Sequence, residues 1–219
     1  MTRRKSDGPV RALLLDFDGV ICQTETYKLD RMMEYFGELG LRAGPREIYR
    51  LAGGVIGEKE AILDQIFGGQ ERYRKVREQA LGFRPPMPAY GDVMTPGIAG
   101  TLEAVKGRGL QIAVASNSGR ERLRRALSEC GILRYFDCIA PAFDLGRRKP
   151  DPCVYRYAME QLGAAPGECL VVEDSAIGIQ AGKAAGAMVI ALKDRDGAID
   201  QRMADVIITQ IGEILDYLS

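Results

Sequence analysis

Buried-strand patterns alternate along this chain with amphipathic helical patterns, and this alternation restricts the possible folds more than any other feature of the sequence. Six apolar runs are continuous rather than alternating, as in strands that are covered on both faces of a sheet. They are Arg11–Phe17, Leu110–Ala115, Cys138–Ala140, Glu168–Val172, Met188–Leu192 and Val206–Ile208. The helical segments between and after them are Ile98–Gly107, Gly119–Cys130, Pro152–Leu162, Ala176–Ala185 and Ile211–Leu218. This order predicts an α/β fold with a doubly wound parallel sheet.

One block of the sequence departs from this alternation. From about Glu25 to about Leu81, helical patterns follow one another without a convincing strand. They cover Tyr27–Leu39, Glu58–Phe67 and Gln70–Leu81. The Pro- and Gly-rich stretch RPPMPAYGDVMTPG that follows is typical of a linker. We therefore predict a helical domain over residues 25–87, inserted into an α/β core that comprises residues 1–24 and 88–219.

Charge and residue usage exclude several classes of function. Lys plus Arg and Asp plus Glu both number 30, and the zero net charge argues against binding to nucleic acid or to an anionic membrane. Histidine is absent, which excludes a Ser-His-Asp triad, a Cys-His dyad and histidine-ligated metals. The five scattered cysteines lack a CxxC pair and predict reduced thiols in a cytoplasm. The apolar stretch near the start is too short for a secretory signal, so we expect a cytoplasmic protein.

Two carboxylates leave the first predicted strand together. Asp16 and Asp18 flank Phe17 at its carboxyl end, where sites form in open α/β sheets, and Gly19 permits the backbone to turn. Asp and Gly are also common in plain turns after a strand. Taken alone, this quartet favours a functional site only slightly over a turn.

The second predicted strand ends at the hydroxyl of Ser116. Ser118 and Glu121 fit a capping box for the next helix, which leaves Ser116 available at the strand tip. With the Asn117 amide and a helix N-terminus close by, Ser116 is a candidate for phosphate binding. A plain loop with a helix cap explains the same residues about equally well.

A lysine precedes the following helix without a role in starting it. Asp151 and Pro152 suit the N-cap and the first turn of that helix, whereas helix initiation does not explain Lys149. Beside an aspartyl nucleophile, Lys149 would stabilise the negative charge and bind phosphoryl oxygens. The neighbouring Arg147 and Arg148 are interpreted as solvated charges.

The fourth predicted strand runs directly into Glu173, Asp174 and Ser175. Adjacent acids after a buried strand are costly unless they are solvated or paired, and Mg²⁺ would pair them through oxygen ligands. Capping of the helix that begins at Ala176 would satisfy one acid or Ser175, but not all three. Four strand ends thus supply two acids, a hydroxyl, a lysine and two further acids at one edge. No structural rule requires that set.

These segments resemble, in this order, the four motifs of the haloacid dehalogenase superfamily of phosphohydrolases. DFDGV corresponds to the first motif, the serine of ASNS to the second, the lysine of RRKPDP to the third and EDS to the fourth. The resemblance covers essentially the whole chain. The helical insert after the first motif is similar to the cap of the subgroup that contains phosphoglycolate phosphatase-like enzymes and β-phosphoglucomutase. The resemblance implies a Rossmann-like core with an inserted α-helical cap.

The resemblance also implies a role for each motif residue. Asp16 would attack phosphorus and become an aspartyl phosphate, while Asp18 would protonate the leaving oxygen and later accept a proton from water. The implied phosphate-binding residues are Ser116 and Lys149, to which the strand-end argument adds Asn117. The implied Mg²⁺ ligands are Asp16, the Asp18 backbone carbonyl, Asp174 and, directly or through water, Glu173.

The predicted reaction is hydrolysis of a small phosphate monoester, such as a sugar phosphate. By the resemblance, Asp18 argues against dehalogenases and phosphonatases, which lack an aspartate there. A β-phosphoglucomutase-like mutase is the alternative, but that enzyme has a histidine at the position that corresponds to Lys28 and an arginine in the cap loop near Gly54–Glu58.

The subgroup usually has an aspartate at the position of Gln23, in the hinge between core and cap. The cap cations that could contact an anion, but that fit solvated helix charges better, are Arg50, Lys59 and Lys28.

Two alternatives are not hydrolases. A phospho-accepting signalling module also uses an aspartate on an α/β sheet, but it is about half this length and lacks a cap. An inactive relative that only binds a phosphorylated ligand should have lost at least one motif residue, and this chain retains them all. A small phosphorylated metabolite is therefore the expected partner.

Overall fold

The computed structural model describes residues 9–52 and 59–218, with side chains left undescribed at 50–52. The chain divides into two compact units. The first, here called the core unit, comprises Met1–Gln23, Ala89–Asp194 and Ile199–Ser219. The second, here called the helical unit, comprises Thr24–Pro88 and Arg195–Ala198.

The core unit is built on a six-stranded sheet in which every neighbouring pair of strands is parallel. The strands are β1 (Ala12–Leu15), β2 (Gln111–Ser116), β3 (Cys138–Pro141), β4 (Cys169–Glu173), β5 (Met188–Leu192) and β6 (Val206–Ile208). Their order is β3-β2-β1-β4-β5-β6, so the chain winds outward from β1 in one direction and then in the other. The predicted doubly wound parallel sheet is confirmed. Its switch point lies between β1 and β4, where sheets of this class bind ligands.

Eight α-helices lie in the described part of the chain. Those of the helical unit are α1 (Thr24–Glu38), α2 (Pro45–Ala52), α3 (Lys59–Phe67) and α4 (Glu71–Gly82). Those of the core unit are α5 (Ile98–Gly107), α6 (Arg120–Glu129), α7 (Cys153–Leu162) and α8 (Ala176–Ala185). The predicted C-terminal helix is a 3₁₀ helix over Ile211–Tyr217.

Apolar side chains of β1 alternate between two buried clusters, one on each face of the sheet. Leu13 and Leu15 pack in the cluster to which α5 and α6 contribute Leu102 and Leu123. Leu14 packs in the opposite cluster, together with residues of α7 and α8. Because both faces are covered, every residue of β1 is buried, and the strand is a continuous apolar run. This arrangement directs the polar residues to the carboxyl end of the strand.

The helical unit has a hydrophobic cluster of its own. Phe36 and Phe67 contact each other edge to face with their ring centroids 5.2 Å apart, and Leu63 and Tyr73 are buried in the same cluster. The helix α2, whose Ile48 joins this cluster, has no counterpart among the predicted segments. The identity of the helical unit as a cap domain stays a prediction.

Candidate active site

The end of β1 brings Asp16 and Asp18 to the switch point of the sheet. The Asp16 backbone amide donates to the Val172 carbonyl of the neighbouring strand at 3.0 Å, and Asp16 itself is only 7% exposed. Gly19 then turns the chain with φ of +95°, a conformation that other residues rarely adopt. A Cβ atom at Gly19 would lie 1.9 Å from Asp174 Oδ2. Glycine is therefore required both for this turn and for the approach of Asp174.

Lys149 connects two of the site's acids. Its Nζ donates to Asp16 Oδ1 and Glu173 Oε1, both at 2.6 Å, and to the Ala115 carbonyl at 2.8 Å. These three acceptors match the three N–H groups of an ammonium. Burial by itself would lower the pKa of Lys149, but the charges of Asp16 and Glu173 outweigh it, and the pKa is raised. Lys149 is therefore held as a cation against the predicted nucleophile.

The pKa of Asp16 is raised above its usual range, first because the carboxyl is buried. Lys149 opposes this effect, whereas the nearby charges of Glu173 and Asp18 add to it. Asp16, Glu173 and Asp174 bring three carboxyl groups together beside the single ammonium of Lys149. The site has a surplus of negative charge that a cation would relieve.

Glu173 is fully buried, and both of its carboxylate oxygens are engaged by the protein. Besides Lys149, the Tyr155 hydroxyl donates to Oε1 at 2.6 Å. The backbone amides of Asp174 and Ser175 and the Ser175 hydroxyl donate to Oε2 at 3.1, 3.3 and 3.1 Å. With its oxygens so occupied, Glu173 is better suited to orienting its neighbours than to direct metal binding.

Three acids are close enough to share a metal ion. One carboxylate oxygen each from Asp16, Glu173 and Asp174 lies within 4.8 Å of the others. Mg²⁺ prefers such oxygen ligands, and the surplus of negative charge around Lys149 fits a divalent cation. The Asp18 carboxylate stands apart from this group and pairs with an arginine instead. The residues present therefore fit Mg²⁺, while the Asp18 carboxylate is engaged by Arg122.

Two of the predicted phosphate-binding residues lie at the end of β2 and at the start of the loop that follows it. Ser116 is buried at the end of the strand, and its Oγ accepts from the Ser118 amide at 3.1 Å. The Asn117 side-chain oxygen accepts from the Lys149 backbone amide at 2.9 Å. Asn117 thus links this loop to the loop that presents Lys149, and both predicted residues adjoin the Asp16 site.

The predicted capping box at Ser118 and Glu121 is wrong. The N-cap of α6 is Gly119, which makes no side-chain capping bond, and the helix begins at Arg120. The Ser118 hydroxyl instead donates to Asp18 Oδ2 at 3.4 Å and contacts Arg122. Ser118 thus contacts Asp18, which lies 100 positions away in the sequence, and does not cap α6.

The starts of α7 and α8 agree better with the predicted helix caps. The Asp151 carboxylate accepts from the Cys153 amide at 2.8 Å, although α7 begins one residue later than predicted. Ser175 is the N-cap of α8 and accepts from the Gly178 amide. Arg147 and Arg148 are exposed, as expected for solvated charges.

Three residues of the site could not be predicted from any pattern in the sequence. Tyr155, on α7, binds Glu173 as described above, and Gln201 donates to the Asp174 carbonyl at 2.6 Å and the Leu192 carbonyl at 2.8 Å. Arg122, on α6, pairs with Asp18 through both of its terminal nitrogens. A polar residue on an amphipathic helix or in a loop is ordinarily solvated, so only the tertiary structure distinguishes these three.

Gln23, the departure from the subgroup pattern, stabilises the turn after β1. Its side-chain amide donates to the Gly19 carbonyl at 3.0 Å and to the Thr95 hydroxyl at 2.8 Å. Both contacts lie within the core unit. Gln23 therefore anchors the chain just before α1 begins.

The cations predicted for the helical unit have different surroundings. Lys28 pairs with Glu25 of the same helix at 2.6 Å. Lys59 donates to the carbonyls of Leu81 and Phe83 at 3.1 and 2.8 Å, so its interpretation as a plain solvated charge is wrong. The Arg50 side chain and the segment Gly54–Glu58 lie outside the described residues.

Comparison with known proteins identifies the family. The model of the haloacid dehalogenase-like hydrolase family matches residues 13–192, which span β1 to β5 and include each predicted motif. The chain belongs to this family. The membership inferred from the motifs is thereby confirmed.

Several haloacid dehalogenase-like relatives match over most of their length. The chain is 30% identical to the putative phosphatase YhcW of Bacillus subtilis, covering 96% of this chain and 98% of that protein. It is also 30% identical to the phosphoglycolate phosphatase of Aquifex aeolicus, covering 81% and 82%. A crystal structure of a HAD family hydrolase from Deinococcus radiodurans, with bound phosphate and sodium, superposes with a TM-score of 0.75. It is 29% identical and covers 95% of this chain and 94% of that one.

These relatives confirm the prediction that the chain is an enzyme of the phosphatase type within this family. None of the helices in the described parts of the chain combines the length and apolar character that a membrane crossing requires.

Proposed function

We propose that this protein hydrolyses a small phosphate monoester with the help of Mg²⁺, through an aspartyl phosphate formed on Asp16. One observation carries the proposal. Asp16 lies at the switch point of the sheet with one oxygen fixed by Lys149, and it shares a group of acids suited to Mg²⁺ with Glu173 and Asp174. A carboxylate that is buried, positioned and short of positive charge is suited to attack phosphorus once a cation is present.

The first step transfers the phosphoryl group to the enzyme. A carboxylate oxygen of Asp16 forms a bond to phosphorus, and the bond from phosphorus to the ester oxygen breaks. The leaving alcohol takes a proton from Asp18, so that it departs uncharged. Such general acid help is worth about 10²–10⁴-fold in rate.

The second step returns the enzyme to its starting state. Asp18, now a carboxylate, accepts a proton from water as the water oxygen bonds to phosphorus. The bond from phosphorus to Asp16 breaks and inorganic phosphate leaves. Because Asp18 alternates between its two protonation states, a single residue serves as acid in one step and base in the other.

The remaining residues manage charge. Lys149 holds Asp16, and because its three N–H groups are already engaged it acts on the phosphoryl oxygens through its charge. Ser116 and Asn117 provide a hydroxyl and an amide at the adjoining strand end. When bound, Mg²⁺ would offset the repulsion between the carboxylate and the phosphate. Asp16, Asp174 and the Asp18 carbonyl would hold it, and Glu173 would contribute through water because its oxygens are already engaged.

The names of the two curated relatives reported above support a phosphatase. The phosphoglycolate phosphatase relative takes a small phosphorylated metabolite, and we extend this class of substrate to the present chain. Lys28, at the position where the resemblance places a mutase histidine, pairs with Glu25. That ion pair gives no support to rebinding of a bisphosphate intermediate.

The test is phosphate release from a panel of small phosphate monoesters, with and without Mg²⁺. We expect turnover by the wild type with Mg²⁺ only, and none by Asp16→Asn. Asp92→Asn is the matched control because Asp92 is an exposed aspartate of the core unit. Metal-independent turnover, or an active Asp16→Asn variant, would contradict the proposal.

The intermediate has its own measurement. With p-nitrophenyl phosphate, whose leaving group needs no proton, Asp18→Asn should slow hydrolysis of the aspartyl phosphate more than its formation, so that rapid quenching leaves a phosphoryl group on the peptide that contains Asp16, detectable by mass spectrometry. Conversion of a hexose 1-phosphate to its 6-phosphate, with little phosphate release, would instead identify a mutase.

A further inference from the structure

Arg122 contacts Asp18, the predicted proton-transfer residue, through two hydrogen bonds. Its Nη2 donates to Asp18 Oδ1 at 2.7 Å and its Nη1 to Asp18 Oδ2 at 3.0 Å. This two-point contact matches the planar fork of a guanidinium to the plane of a carboxylate. It fixes the rotation of the Asp18 carboxyl group as well as its position.

The guanidinium of Arg122 is itself held in place. Its Nε donates to the Tyr90 hydroxyl at 3.0 Å, and Nη1 also contacts the Ser118 hydroxyl. Its central carbon lies 5.6 Å from the ring centroid of Phe17 and 5.8 Å from that of Tyr90. These two rings pack edge to face with their centroids 5.7 Å apart. Arg122 is therefore a preorganised contact and not a flexible surface charge.

We propose that Arg122 is a positioning residue that orients the Asp18 carboxyl group for proton transfer to the leaving oxygen. The inference rests on the proposed function, because it assigns Arg122 a part in the acid step of that reaction. Proton transfer depends on hydrogen-bond geometry, so a carboxyl group that rotates away from the leaving oxygen loses its effect. Tyr90 acts one step further out, through the Nε of Arg122.

The dependence of kcat/KM on the leaving group distinguishes a positioning role of Arg122 from a purely structural one. p-Nitrophenolate is stable enough to leave without a proton, whereas an alkoxide is not. Loss of Asp18 orientation should therefore reduce kcat/KM for an alkyl phosphate far more than for p-nitrophenyl phosphate. General damage to the fold would reduce kcat/KM equally for the two esters.

The experiment compares Arg122→Met with the wild type on both esters in the presence of Mg²⁺. We expect kcat/KM to fall about 10–100-fold for the alkyl phosphate, less than the full range of about 10²–10⁴-fold of general acid catalysis because Asp18 itself remains, and less than about 3-fold for p-nitrophenyl phosphate. Arg125→Met, the same change on an exposed position of α6, is the matched control and should leave both values unchanged. Arg122→Lys, which keeps the charge but not the fork, should fall between wild type and Arg122→Met.

Tyr90→Phe is a second variant that tests the same inference if Arg122→Met does not fold. It removes only the acceptor of the Nε bond, and it should give a smaller loss with the same preference for the alkyl ester. An active wild type whose Arg122 and Tyr90 variants lose equal activity on both esters, or none, would overturn this inference alone. A wild type that releases phosphate from neither ester would overturn the proposed function and this inference with it.

Discussion

Asp16 carries a cost in stability as well as a role in chemistry. Burial raises the pKa of its carboxyl group, and the charge of Lys149 only partly offsets this effect. A carboxyl group whose pKa is higher in the folded than in the unfolded state binds more protons when folded. The contribution of Asp16 to the free energy of unfolding is therefore largest at low pH. It falls as the pH rises above the ordinary pKa of a carboxyl group, which is about 4.

The metal-free Asp16→Asn variant should accordingly be inactive but more stable than the wild type. The gain should be small near pH 4 and reach at least about 1 kcal/mol at pH 8, because one unit of raised pKa corresponds to about 1.4 kcal/mol. For a chain of this size, that is an increase in Tm of about 2–4 °C. Thermal unfolding in a chelator at both pH values measures it. A variant that is less stable at pH 8 would show that the lost contact with Lys149 outweighs the removed charge.

Glu173 should behave in the opposite way. Glu173→Gln keeps the size of the side chain but removes the charge that pairs with Lys149 and replaces one of the two accepting oxygens with an amide nitrogen, so that either Lys149 and Tyr155 or the loop donors lose their acceptor. Breaking a buried ion pair costs about 3–5 kcal/mol, so we expect a loss of this order together with loss of phosphate release. Glu160→Gln on the exposed face of α7 is the control and should change neither. Chemical denaturation gives the free energies, and an unchanged midpoint for Glu173→Gln would contradict the structural role.

Among single residues, those that could be predicted as site residues were the ones that helix capping and strand-ending turns did not account for. Helix initiation did not explain Lys149, and helix capping could not explain both Glu173 and Asp174 at the end of β4; the structure groups these residues around Asp16. Arg122 escaped prediction because its contact with Asp18 joins residues 104 positions apart. On its helix it follows the pattern of a solvated arginine, and nothing nearby in the sequence identifies the carboxylate that it meets.

The strands of the core unit were predictable because they are apolar throughout. The strand β5 is buried from its second residue on and was predicted with the bounds that the structure has. The edge strand β6 was also predicted with its observed bounds, although its Ile207 is exposed. The helix α2 was missed because its eight residues offer too short a stretch for helical periodicity to stand out. The C-terminal segment has a helical pattern of apolar residues, but the pattern cannot distinguish a 3₁₀ helix from an α-helix over seven residues.

The close approach of α8 to the sheet gives a prediction for an element. A Cβ atom at Gly182 would lie 2.8 Å from Val189 Cγ2 and 3.1 Å from Val171 Cγ1, so only glycine fits between the helix and its two strands. Gly182→Ala should destabilise the protein by about 1–3 kcal/mol, the usual cost of overpacking. Gly100→Ala on α5 meets nothing within 4 Å and should instead stabilise by up to about 1 kcal/mol. Thermal unfolding of the two variants should therefore shift in opposite directions, and equal shifts would contradict the packing argument.

At the scale of the whole molecule, the division into two units has a consequence for cooperativity. Phe67 is fully buried in the cluster of the helical unit, between Phe36 and Tyr73, and none of that cluster belongs to the core unit. Phe67→Ala removes a large buried side chain, a change that usually costs about 3–5 kcal/mol. If each unit is stabilised mainly by its own core, this loss should be confined to the unit that suffers it.

Native-state hydrogen exchange of Phe67→Ala distinguishes local from global destabilisation. We expect amides of α1, α3 and α4 to exchange faster, while those of β1, β2 and β4 keep the protection they have in the wild type. Leu170→Ala, at a fully buried position of β4, is the counterpart and should expose the sheet amides first. Faster exchange of both units in both variants would mean that the chain unfolds as one cooperative body. The predicted cap would then not be an independent domain, because its stability would be inseparable from that of the sheet that holds Asp16.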